Sequence, residues 1–425
     1  MGFRRLAAWM VVVSSVSILA ACGGSGSGSS GGNAQLRLVN ASSAYSSLDL
    51  TVGETKVATG VAYGKANEYA SVTAGSSVTA TVQSGSTSLA SIAPTLAKDN
   101  HYSLITYGWV GNMRSTILQE EETAPDTNYS KLLVLNLAAD AGALDVYLTQ
   151  NVDNLSSTTP NVSGLGGGSS SGYLTVGSGT YRVRITGTGK NTDLRLDIPS
   201  VALDSKQVST LVITPTQGGV LVNSVRVIQQ SSVSVAGNNN ARARVIAALD
   251  GAKVSATLDS TALMSDLAAP KIGDYQLLSA GNPSLVVTVN GVALPATTPA
   301  LTAGNDYSFL VWGPVSAPQV TVLSDDNRLP TVSGTAKIRL INGLAGSSTG
   351  LTMTLDYGAV VSNVLPGTAS AAASINASAT GATSLLNVDS TPAMDATLSV
   401  VSGGIYNVYI MGSAGNAVRV LRKDR

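Results

Sequence analysis

The chain returns again and again to the same order of short segments, and this recurrence limits its fold more than any other feature. Arg37-Leu-Val-Asn-Ala-Ser42 is echoed by Leu133-Val-Leu-Asn-Leu-Ala138, by Arg244-Val-Ile-Ala-Ala248 and by Arg339-Leu-Ile-Asn-Gly343. Aligning Asn40, Asn136, Ala247 and Asn342 gives intervals of 96, 111 and 95 residues. A second run follows each start: Leu48-Asp-Leu-Thr-Val52, Leu144-Asp-Val-Tyr-Leu148, Val254-Ser-Ala-Thr-Leu258 and Leu351-Thr-Met-Thr-Leu355. The third landmark, a Tyr leading to a Gly turn, begins at Tyr69, Tyr173 and Tyr275. The fourth pairs His101-Tyr-Ser-Leu-Ile-Thr-Tyr-Gly108 with Asp306-Tyr-Ser-Phe-Leu-Val-Trp-Gly313 and Ile405-Tyr-Asn-Val-Tyr-Ile-Met-Gly412. Landmarks in one fixed order mark each repeat as a folding unit. A unit of roughly 100 residues can bury nearly two thirds of its surface around a core of its own.

The runs alternate apolar and polar residues, are rich in Val, Ile, Thr and Tyr, and lie between Gly, Asn and Ser clusters. That is strand patterning, and helical periodicity is scarce. The expected fold is all-β: tandem antiparallel β-sandwich domains, Ig-like or transthyretin-like, at 34–128, 129–239, 240–334 and 335–425. Short linkers are expected near 120–128, 236–240 and 325–334. The acidic tails Glu120-Glu-Glu122 and Asp325-Asp326 would follow the last strand of their units. A rod of beads is the natural picture, with room for neighbours to pack together.

The amino terminus reads separately. Met1-Gly-Phe-Arg-Arg5 is basic, and Leu6 to Ala21 is apolar apart from Ser14, Ser15 and Ser17. The apolar run is shorter than the roughly 20 residues of a spanning helix, so 1–21 reads as an export signal. Leu19-Ala20-Ala21-Cys22 resembles the bacterial lipobox. The resemblance implies lipid attachment at Cys22 and cleavage before it, giving a membrane partner through covalent lipid. Gly23 and Gly24 in place of Asp point to an outer membrane. Residues 22–33, nearly all Gly and Ser, then form a random-coil tether. Two or more acyl chains would hold such an anchor stably, each buried methylene contributing about 0.8 kcal/mol.

Cys22 is the only cysteine, so once it is acylated no disulfide can form and the cores alone must hold the fold. The 25 basic residues balance 25 acidic ones, and charged residues make up 12% against a usual ~25%. No basic patch suggests nucleic acid. His101 is the sole histidine, so a Ser-His-Asp triad or most zinc sites would need it, yet it sits at the entry of a strand. Gly168-Ser-Ser-Ser-Gly172 and Gly28-Ser-Ser-Gly-Gly32 match a nucleophile elbow only in composition, lacking the strand–turn–helix setting. Asp49, Asp145 and Asp325-Asp326-Asn327 could offer oxygens to calcium, although strand-end Asp side chains more often accept backbone N–H bonds. Tyr107 and Trp312 occupy equivalent positions and read as core or inter-unit contacts. Asn40 and Asn376 lie in sequons that a bacterial lipobox makes irrelevant. No cofactor is expected.

The landmarks resemble the bacterial family known as domain of unknown function 4397, exported β-sandwich modules often found in tandem on lipoproteins. The first unit matches best, through 37–42, Leu48-Asp49-Leu50, Tyr63-Gly64, Ala74-Gly75 and 102–108. The second carries an insert at 151–171, the third and fourth lack the Asp seen at Asp49 and Asp145, and 369–384 dissolves into an Ala/Ser-rich run. The resemblance brings no activity with it. The expectation is a non-catalytic array presenting surfaces to an envelope or extracellular protein, or else a carbohydrate- or cell-wall-binding protein whose partner is a glycan.

Overall fold

A computed structural model describes residues 32–75, 79–150, 154–390 and 393–425. Among the described residues, strands joined by turns and loops succeed one another from Asn33 to Lys423, and the helical elements are 3-10 turns at Ala139–Ala141 and Leu155–Ser157. No helix among the described residues is long and apolar enough to cross a membrane.

Among the described residues the strands form eight sheets, two from each of four successive stretches, 33–119, 129–236, 240–325 and 335–423. Each stretch, with the residue or two that directly follow its last strand, is a module, numbered one to four in chain order. Each has its own apolar cluster between its two sheets. In module one, Leu36 and Leu38 meet Leu48, Leu50, Val82 and Leu104. Val245, Val254, Val287 and Phe309 do the same in module three. The alternation that marked the strands is the cause, since every second side chain points between the sheets.

The sheets are antiparallel-rich, as expected, with one parallel pairing in each module. In each module the opening strand pairs in parallel with a late one: Asn33–Asn40 with His101–Trp109, Tyr129–Asn136 with Val208–Pro215, Asn240–Ala247 with Asp306–Trp312, and Thr335–Ala345 with Ile405–Ser413. A parallel ladder needs a long crossover. Here the whole second sheet supplies it.

The register explains two landmarks. Asn40, Asn136, Ala247 and Asn342 all face the same step of the late strand, at Thr106, Ile213, Val311 and Ile410. The three asparagines are fully buried. Their Nδ2 groups donate to Val61, Leu165 and Val364 carbonyls at 3.1, 2.9 and 2.8 Å. Their Oδ1 atoms accept the N–H of Ser42, Ala138 and Leu344. Each asparagine thus clamps the end of one sheet to a strand of the other. Similarly, the Tyr102, Tyr307 and Tyr406 hydroxyls each accept a backbone N–H five residues upstream, at 2.9, 3.0 and 2.9 Å. Both residues serve the fold.

Candidate functional site

The outward faces of the opening strands are the least ordinary part of the molecule. Leu36 and Leu38 point into the module one core, so Arg37 and Val39 should face water. Instead Val39 is fully buried and Arg37 only 4% exposed, because module two covers them. Val39, Ala41 and Ile105 pack against Leu137, Val212, Val225 and Val227. Modules three and four meet through the same positions: Ile246, Ala248 and Leu310 against Ile341, Tyr409 and Met411. Gly343 fits because a Cβ there would lie 2.4 Å from that of Ala248. Each fully buried aliphatic side chain contributes roughly 1.5–3 kcal/mol. Patches of this kind hold modules together in pairs.

Charge is buried in the same faces. In the third and fourth modules, the arginines of the opening strand exchange partners. Arg244, fully buried, donates through Nη1 to Asp424 at 2.9 Å and through Nε to Ser308 at 2.9 Å. Arg339 returns the contact to Asp325 and reaches Asn407 at 2.9 Å. The exchange is self-complementary, as in a two-fold dimer, but within one chain. The Arg244 guanidinium also lies 4.3 Å from the Tyr275 ring centroid. The first pair of modules is arranged differently. Arg37 binds Glu120 of its own module at 2.8 Å and reaches across to the carbonyls of Ser231 and Ile228. Gln230 answers by donating to Glu120 through both backbone and side chain, at 2.6 and 2.8 Å.

The electrostatics follow from this packing. Burial pushes the Asp325 carboxyl up, but Arg339 and Arg244 outweigh it and hold it below the usual range. Burial, reinforced by the Asp325 charge, drives Tyr275 well above an ordinary phenol. Asp326 is pulled down to about 2, its burial overcome by hydrogen bonds from Arg328 and Lys337. These groups stay charged or neutral as needed to pair. They form a structural seam.

One cavity of about 130 Å³ opens where modules one and two meet the segment after module three. Tyr107 and Trp109 form an aromatic wall, Asn112 and Arg114 lie on the neighbouring strand, and Asp140 and Pro330 complete the lining. The Ala139–Ala141 turn positions Asp140, whose Oδ1 accepts the Leu329 N–H at 2.7 Å. Burial raises its carboxyl above the ordinary value, against that hydrogen bond and nearby Arg425, Lys337 and Arg328.

A family model described as domain of unknown function DUF4397 matches residues 34–147 and 241–349, more than half the chain. The chain belongs to the DUF4397 family. Both DUF4397 matches begin on an opening strand and run into the following module, so each spans a seam. No curated protein matches the chain. Among solved structures, a protein from Bacteroides uniformis provisionally named a cell adhesion protein is 11% identical, over 47% of this chain and 97% of its own, with TM-score 0.21. The Bacillus anthracis TIE protein is 9% identical over 86% of this chain and 66% of its own, with TM-score 0.15. Neither reaches the likeness at which a shared fold is argued.

Within this DUF4397 chain the residues singled out from sequence scatter. Cys22 and most of the 28–32 tract lie outside the described residues. His101 Nδ1 sits 2.9 Å from Glu121 and its ring meets Tyr69 edge-on at 5.0 Å. Ser169, Ser170 and Ser171 lie on a strand paired with the opening strand of module two, where Ser171 accepts the Val134 N–H. Asp49 accepts the Gly60 N–H and Lys56, while Asp145 accepts the N–H of Gly164 and Gly189. Their oxygens are thus engaged by donors. Asp325 and Asp326 diverge to different cations, and Asn327 donates to Asp306. Of the acidic tails, Glu120 directly follows the strand Asn112–Gln119 and Asp325 closes the strand Gln319–Asp325; Glu120 is 1% exposed and Asp325 7%, both locked in the seams. Trp312 lies in the seam between modules three and four, and Tyr107 borders that between one and two.

Sequence reasoning missed the seam arginines. A signal was there: an Arg three positions before the aligned Asn or Ala, and an acid 81–85 residues later at Glu120, Asp325 and Asp424. Module two lacks both, having Leu133 and Gln229-Gln230. Losing them together leaves no buried charge uncompensated.

Proposed function

We propose that this DUF4397 chain is a non-catalytic envelope protein, tethered by lipid on Cys22, that carries paired sandwich modules as a firm arm and offers their loops and edges to a partner. The observation that supports this best is the pair of seams. Side chains that recur in three of the four modules are spent on joining modules, through Arg37 and Glu120 with Ser231 and Gln230 and through the exchange between Arg244, Asp424, Arg339 and Asp325. Modules joined this way transmit position from a leash to a distant surface, which a string of loose beads would not. Contacts would come from loops and unpaired strand edges. The lipobox and Gly/Ser tract give the attachment and reach, at an outer membrane.

Metabolic palmitate labelling and membrane fractionation test the anchor. The native chain should be labelled and float with outer-membrane vesicles, and Cys22→Ala should lose the label and become soluble. An unlabelled native chain rules out the tether. The second reading, a carbohydrate- or cell-wall-binding protein, is favoured by the aromatic cavity alone.

A further inference from the structure

We propose that the cavity beside Trp109 binds the end of a neutral saccharide, one pyranose ring stacked on the aromatic wall and hydrogen-bonded to Asp140. The inference rests on the reading of the chain as an envelope binding protein, and gives that reading a ligand class.

Size comes first. A water needs on the order of 10–15 Å³ of such free volume, so the 130 Å³ here has room for about ten non-hydrogen atoms. That is one sugar ring. The second argument is unspent polarity. Asp140 is only 4% exposed, and its Oδ1 is engaged by Leu329 while its Oδ2 takes no hydrogen bond among the described residues. That oxygen is not shut away from solvent but opens to the cavity, where it is available to accept a hydroxyl donor from a ligand. The Asn112 amide, the Arg114 guanidinium and the Tyr107 hydroxyl make no bond among the described residues either, and all line the same space. Planar amide, carboxylate and guanidinium groups match vicinal hydroxyls, and aromatic faces suit the apolar face of a ring.

The charge balance selects a neutral ligand. Arg114 and Asp140 leave the lining formally uncharged. A cationic ligand would meet the field of Arg328, Arg425 and Lys337 that already acts on Asp140. An anion would have to sit against the Asp140 carboxylate, and the Arg328 guanidinium is already held by Asp326 at 2.7 Å and lies 5.3 Å from the Trp109 ring centroid. A polyol avoids both conflicts.

The test is a titration of the full-length chain in detergent with methyl glucoside, methyl galactoside and N-acetylglucosamine, read by tryptophan fluorescence and calorimetry. Glucosamine and glucuronate serve as charged counterparts. At least one neutral sugar should saturate with Kd on the order of 1 mM. Affinity should fall tenfold or more in Trp109→Ala and in Asp140→Asn. Arg114→Ala, at an exposed rim position, should fold normally and weaken binding severalfold. Saturation by no neutral sugar, tighter binding of a charged counterpart, or unchanged affinity in all three variants overturns the inference. Since fractionation and palmitate labelling decide the envelope reading independently, failure of one is distinguishable from failure of the other.

Discussion

Replacing Arg244 by Met is the sharpest probe of the seam between modules three and four. The side chain is fully buried, and its removal takes the ion pair to Asp424 at 2.9 Å, the bond to Ser308 and the stacking on Tyr275. Methionine fills most of the volume, so the main loss is electrostatic: Asp424 and Asp325 are left sharing Arg339 and Arg422. Breaking one side of a buried pair costs about 3–5 kcal/mol. With a urea slope of about 2 kcal/mol per molar, the seam's unfolding midpoint should fall by roughly 2 M. Trp312 is the reporter, since it lies in this seam with Nε1 donating to Thr321, and a Cβ on Gly367 of module four would strike its ring. A Trp9→Phe, Trp109→Phe background isolates its signal. Adding Asp424→Leu removes the stranded partner, so the double variant should regain at least about 1 kcal/mol relative to additivity. Lys253→Ala is the control, because the Lys253–Asp266 pair is 62% and 69% exposed and such pairs contribute less than about 1 kcal/mol. A single-variant cost below about 1 kcal/mol, or strict additivity in the double, refutes the seam argument.

Asn342→Ala leaves the Val364 carbonyl and Leu344 N–H without their partner inside the protein, and should destabilise module four by about 1–3 kcal/mol in the same urea titration. Acid should loosen the seam in a defined window. The folded Asp326 carboxyl lies at about 2, below its ordinary 3.8, so its stabilisation is complete above pH 4 and is lost as pH falls towards 2. Asp325 is shifted in the same direction. The Trp312 reporter followed from pH 5 to pH 2 should show this loss, and Asp326→Asn should flatten it.

The local pattern carried a great deal. Alternation in segments such as Ser77-Val-Thr-Ala-Thr-Val82 and Lys337-Ile-Arg-Leu-Ile341 made the all-β fold legible, and the recurrence of four landmarks gave tandem sheets without any contact being known. Even the Asp49 and Asp145 turns follow from ordinary side-chain chemistry, with a short carboxylate reaching nearby backbone N–H groups. The cavity was not legible, because its walls come from positions as far apart as Tyr107, Asp140 and Pro330.

By itself the sequence determined the strands, their inward faces and the repeat, because each depends on neighbours a few residues away or on simple periodicity. Only the tertiary structure decided that the opening and late strands run parallel and that the outward faces are covered. Arg37 between Leu36 and Leu38 looks like a residue bound for water, since alternation says which side chains share a face but not what lies against it. Its partner Glu120 is 83 residues away, and the Ser231 carbonyl is 194. Contacts at that distance depend on how whole sheets stack, and no local rule encodes them.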